Sequence, residues 1–91
     1  MTTVVLCEDC EDPAACVGRF REKARAAGLE ITLDGRLATL PGSIHLHLRP
    51  KGERAGTLEY TMDVRGRRSW LSWHENRYRP WIEDAIDQLR A

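Results

Sequence analysis

Cys7, Cys10 and Cys16 are the only cysteines in this chain, and they fall within the short run Leu6-Cys7-Glu8-Asp9-Cys10-Glu11-Asp12-Pro13-Ala14-Ala15-Cys16. An odd number of thiols cannot pair completely into internal disulfides. Three thiolates close in sequence are instead most of a zinc site, since zinc takes four tetrahedral sulfur or nitrogen ligands. The carboxylates of Glu8, Asp9, Glu11 and Asp12 raise the local concentration of cations. A fourth ligand is expected from one of the three histidines, His45, His47 or His74. An iron–sulfur cluster fits less well, because it is usually held by four thiolates.

The same cysteines admit a redox reading, a thiol oxidoreductase using Cys7 and Cys10. A C-x-x-C between a strand and a helix resembles the placement in thioredoxin-like proteins. That chemistry needs a low thiol pKa and positive surroundings, whereas Glu8 and Asp9 between the two cysteines push the other way. The rest of the chain also lacks the alternating strand and helix pattern of that family. No other catalytic set is read from the sequence: there is no glycine-rich phosphate loop, and Ser43 near His45 is only a neighbour.

A second chemically distinctive stretch is Arg67-Arg68-Ser69-Trp70-Leu71-Ser72-Trp73-His74-Glu75-Asn76-Arg77-Tyr78-Arg79-Pro80-Trp81. Arginine and aromatic side chains serve both protein hot spots and single-stranded nucleic acid. The alternative function is therefore a metal-free domain presenting Arg67, Arg68, Trp73, Arg77 and Tyr78 to a protein partner, or less readily to nucleic acid. Balanced charge, 14 basic against 14 acidic residues, argues against a dominant nucleic-acid binder. The order of helix, hairpin strands and helix resembles that of double-stranded-RNA-binding domains. The second helix of that family opens on basic residues, where this chain has Trp81-Ile82-Glu83-Asp84, so RNA binding is not carried over.

The elements that must position these groups follow from local pattern. Thr3 to Cys7 is β-branched and apolar and reads as a strand. Asp12-Pro13 opens a helix, with Asp12 as N-cap and Pro13 in the first turn. Val17, Phe20, Ala24 and Ala27 recur at helical spacing, and Gly28 caps the end. This places Cys7 at the end of a strand, Cys10 in the turn and Cys16 one turn into the helix. Helical side chains lean toward the N-terminus, so the three thiols are expected to converge.

Downstream, Asp34-Gly35 between Glu30–Leu33 and Arg36–Leu40 predicts a tight hairpin turn. Ile44, Leu46 and Leu48 alternate with Ser43, His45 and His47, and Leu58, Tyr60, Met62 and Val64 alternate again. A last strand is predicted over about residues 68 to 74 and a helix from Pro80, with Ile82, Ala85, Ile86 and Leu89 on one face. The fold class is α+β, a single domain over residues 1–91. A mostly antiparallel sheet of five to six strands, in the order β-α-β-β-β-β-β-α, carries two helices on one face.

At 91 residues, with 42% hydrophobic and 31% charged, the chain can bury a core with little stability to spare. No cationic and apolar leader and no membrane-length apolar run is visible. The expectation is a cytoplasmic protein that does not enter the membrane, in a compartment where thiols stay reduced. The function expected from the sequence is a small zinc-binding accessory or interaction module with a structural cysteine site.

Overall fold

The computed structural model describes all residues from Met1 to Ala91. Five strands and two helices follow in the order β1 (Thr2–Cys7), α1 (Pro13–Ala26), β2 (Leu29–Gly35), β3 (Ile44–Pro50), β4 (Leu58–Asp63), β5 (Arg68–Trp73) and α2 (Trp81–Arg90), with a short 3-10 turn at Glu75–Arg77. The strands form one antiparallel sheet in the order β1-β5-β4-β3-β2. β1 and β2 thus lie at opposite edges, and α1 carries the chain from one to the other. No helix is long and apolar enough to cross a membrane.

Alternation along β3, β4 and β5 sorts the side chains. Leu46, Leu48, Leu58, Tyr60, Met62 and Leu71 point to one face and are almost completely buried. Val17, Phe20 and Ala24 of α1 and Ile82, Ala85, Ile86 and Leu89 of α2 cover them in a single core. The Phe20 ring stacks on Tyr60, with centroids 3.7 Å apart and planes 12° from parallel. This contact anchors α1 over the middle of the sheet.

The ends of α1 are made as their residue types require. Asp12 is extended (φ −133°), and its Oδ1 accepts the Ala15 amide at 3.2 Å. Gly28 adopts φ +77°, the left-handed conformation in which a helix commonly ends, and its amide donates to the Arg25 carbonyl at 3.0 Å. At the start of α2, Trp81 Nε1 donates to the Ala55 carbonyl at 3.1 Å. Gly56 (φ +90°) runs so close beneath that a Cβ there would lie 3.0 Å from the Trp81 ring.

One local expectation gives way. The chain does not turn at Asp34-Gly35: β2 continues through both residues, and Gly35 pairs with His45. Residues 37–40 form no strand, so the sheet has five strands. The reversal comes later, in a loop closed by fully buried Ser43. Its hydroxyl accepts the Leu37 amide at 3.1 Å, and its own amide donates to the Leu40 carbonyl at 3.0 Å. Asp34 is tied instead to α1 through Arg21 Nη2 at 3.0 Å.

The two-faced sheet makes a direct prediction. Leu46→Ala, on the helix side of β3, costs about 2–5 kcal/mol in urea unfolding. Leu33→Ala, exposed on the neighbouring strand, changes stability by no more than about 0.5 kcal/mol.

Candidate metal centres

The three cysteine sulfurs meet where β1 hands over to α1. Their Sγ atoms all lie within 4.8 Å of one another, and no disulfide joins them. Each arrives by a different local device. The β1–β5 register shifts between Val5 and Cys7, so that Cys7 sits opposite Ser69. Ser69 shares its face with Leu71, and a bulge of this kind re-aims a strand-end side chain, here toward the helices. Cys16 closes the first turn of α1, its amide donating to the Asp12 carbonyl at 3.0 Å.

Cys10 lies between them in the turn and is 2% exposed. A reciprocal pair of hydrogen bonds holds it. Its amide donates to the Arg67 carbonyl at 2.9 Å, and Arg67 Nε donates to the Cys10 carbonyl at 2.7 Å. Arg67 ends the β4–β5 turn with φ +57°, the only non-glycine residue with positive φ. Such a conformation persists where surrounding contacts over-determine it, and the clamp on Cys10 is that contact.

Burial pushes the Cys10 thiol up to about 12, and hydrogen bonding with Cys7 and Cys16 adds to the rise. Tyr60, beneath the same sulfurs, is also pushed up to about 12 by burial, against an opposing hydrogen bond with Ser69. Without a cation Cys10 therefore holds its proton. One positive group is already in place, since Arg19 Nη2 donates to Cys16 Sγ at 3.2 Å. Cys7 and Cys16 also line a cleft of about 460 Å³ together with Arg19, Lys23, Tyr60 and Arg90.

The histidines do not join the thiols. Alternation in β3 turns His45 and His47 to the opposite face from Leu46, where they meet Glu59 of β4 in a second group of potential ligands. His45 Nε2 lies 3.0 Å from Glu59 Oε1 and 3.2 Å from His47 Nε2. His47 Nε2 is 3.6 Å from the same oxygen, and His74 Nε2 is 3.6 Å from Oε2. On its other side His45 Nδ1 is 2.9 Å from Thr61 Oγ1. Burial holds His47 below the usual imidazole value, partly offset by the charge of Glu59. The fourth zinc ligand expected from His45, His47 or His74 is thus not delivered, because strand parity sends His45 and His47 through the sheet and His74 turns to the same carboxylate.

Glu59 itself is not evident from the sequence. The available signal is its place in an alternating strand: the Leu58–Tyr60 face is apolar, so a glutamate between them faces the same side as a histidine pair one strand away. That alignment depends on the β3–β4 register, which local pattern does not specify.

The arginine and tryptophan stretch does not form one presented surface. Trp73 is buried in the core because it has the parity of Leu71, and it is corrected from a partner-binding residue to a packing residue. Tyr78 is half-buried against the same core. Arg67 and Arg68 lie at one end of β5 and Arg77 beyond the other, all exposed. No protein-family model, curated protein or solved structure matches the chain, so its chemistry rests on this geometry.

In metal-free protein the buried thiol is the least reactive. Cys7 and Cys16 are expected to be alkylated by iodoacetamide on the order of 10-fold or more faster than Cys10 at neutral pH, as read by peptide mass spectrometry. Arg67→Ala opens the clamp and brings Cys10 closer to the other two rates. The metal-free fold also loses stability as pH rises. Cys10 titrates near 12 when folded against an ordinary 9.0, so the unfolded chain binds fewer protons between those values and is favoured there. Urea midpoints above pH 9 measure this.

Proposed function

We propose that this chain is a small zinc-binding domain. In this reading Cys7, Cys10 and Cys16 hold the ion as thiolates, and the ion fastens the end of β1 to the start of α1. The observation that carries the reading is the convergence of three sulfurs within 4.8 Å from three separate pieces of backbone. Zinc–sulfur bonds of about 2.3 Å at tetrahedral angles put sulfurs about 3.8 Å apart, within that spread. Three thiolates around a dication leave one negative charge, and Arg19 already donates to Cys16 Sγ.

Only three protein ligands are gathered, so the fourth position falls to a donor outside the group. The cleft that reaches Cys7 and Cys16 is its route, and the donor is water or a small anion drawn by Arg19, Lys23 and Arg90. In the oxidoreductase reading Cys10 is not the attacking thiol. An attacking thiol needs its pKa brought down toward ambient pH, and burial moves Cys10 the other way. Thiolate ligation requires reduced cysteines, so this reading goes with a reducing compartment such as the cytoplasm and with an accessory or interaction module in which the metal stiffens the β1–α1 junction.

Because the domain has a core of its own, zinc adds stability without being required for folding. At free zinc 100-fold above Kd the gain is about 2.7 kcal/mol, or roughly 10–20 °C in a domain of this size. Chelation is expected to lower Tm by at least that amount, and Cys16→Ser to remove the share of the difference that the thiolates supply. Zinc affinity should rise with pH, because the ion displaces the thiol protons. Calorimetry in buffers of different ionisation enthalpy counts the protons released. Identical melting curves with and without chelator, together with three freely titrating thiols, contradict the reading.

A further inference from the structure

The sheet face away from the helices holds a carboxylate whose environment has no use in the thiol site. Glu59 is 8% exposed. No lysine or arginine nitrogen lies within 4 Å of it; the basic groups within that distance are His45, His47 and His74, and Arg77 acts on the cluster only from farther away, through its charge on His47. A carboxylate taken out of water needs a compensating cation. An imidazole supplies one only when it carries a second proton, whereas a divalent ion supplies it directly.

Two of the spacings are also hydrogen-bond distances, but all three together fit a shared metal. A first-row ion with nitrogen and oxygen ligands at about 2.0–2.1 Å in a tetrahedral shell puts those ligand atoms about 3.3 Å apart. His45 Nε2, His47 Nε2 and Glu59 Oε1 are separated by 3.0, 3.2 and 3.6 Å, values that bracket it. The longest is beyond a hydrogen bond. His45 is also aimed from behind by Thr61, 1% exposed, at Nδ1. A second hydrogen bond on the far ring nitrogen is how metal-binding histidines are held. Two imidazoles and a carboxylate suit borderline divalent ions such as zinc, cobalt(II) or iron(II).

We propose that His45, His47 and Glu59 form a second metal site, independent of the cysteines, for a divalent first-row transition ion, with Thr61 positioning His45 and His74 standing at the solvent side of Glu59. The ion stabilises the buried carboxylate and keeps coordination positions toward solvent, where His74 is the nearest side chain.

Cobalt(II) titration of the metal-free full chain tests this, because the two groups have different spectra. A thiolate site gives an intense near-ultraviolet charge-transfer band, and a nitrogen and oxygen site gives only weak visible bands. Two equivalents are expected for the wild type, one of them without thiolate absorption. Glu59→Gln and His47→Gln each lose that equivalent and keep the thiolate band, whereas Cys16→Ser loses the thiolate band and keeps the equivalent. His47 is partly exposed, so it answers the question even where Glu59→Gln disturbs the fold. Thr61→Val is expected to weaken the second equivalent by about 10-fold. Failure of the thiolate band alone overturns the cysteine reading and leaves this one standing. A wild type that binds no ion outside the thiolate band overturns this one, as does a second equivalent unchanged in both Glu59→Gln and His47→Gln; the histidines and Glu59 then share protons instead.

Discussion

Side chains alternate across a β-strand, and in β3, β4 and β5 this period of two divides the protein's chemistry as well as its core. One parity carries Leu46, Leu48, Leu58, Tyr60, Met62 and Leu71 beneath the helices. The other carries His45, His47, Glu59 and Thr61. These four are close because the β3–β4 register sets His45 opposite Thr61 and His47 opposite Glu59, and the β4–β5 register holds β4 in place. Apolar burial on the first face enforces the registers, since a slip of one residue would turn the leucines outward. The polar cluster is thus positioned by the hydrophobic effect acting on its neighbours.

The thiol group depends on the same sheet in a different way. It is built at an edge, where the bulge before Cys7 and the β4–β5 turn come together. The link is Arg67, which accepts from and donates to the backbone of Cys10 while adopting a conformation few side chains choose. Desolvation then acts on Cys10. A neutral buried thiol is stable, a lone buried thiolate is not, and a cation reverses that balance. The Arg67 clamp and the Asp12 cap hold the backbone around the thiols through protein contacts alone.

Much of this was legible in the residues. Asp12-Pro13 marked the start of α1, and that start, with the tilt of helical side chains, brought Cys16 back to Cys7 and Cys10. The leucines of β3 and the Leu58–Met62 alternation marked the helix-facing side. What escaped was non-local. Asp34-Gly35 has the composition of a tight turn, yet the ladder to β3 runs through it, and the reversal depends on Ser43 closing a longer loop. Trp73 sits among arginines in sequence, but its parity with Leu71 places it in the core. The histidines are recognisable as potential ligands, but only the cross-strand register sets them beside Glu59 and away from the thiols.

In the proposed zinc site three cysteines act as one ligand set. Cadmium-113 NMR of the cadmium-loaded chain tests that claim most directly, through scalar coupling between the metal and the cysteine β-protons. The geometry predicts one strongly deshielded resonance, as thiolate ligands produce, coupled to the β-protons of Cys7, Cys10 and Cys16 together. A spectrum with no cadmium resonance coupled to all three residues contradicts it.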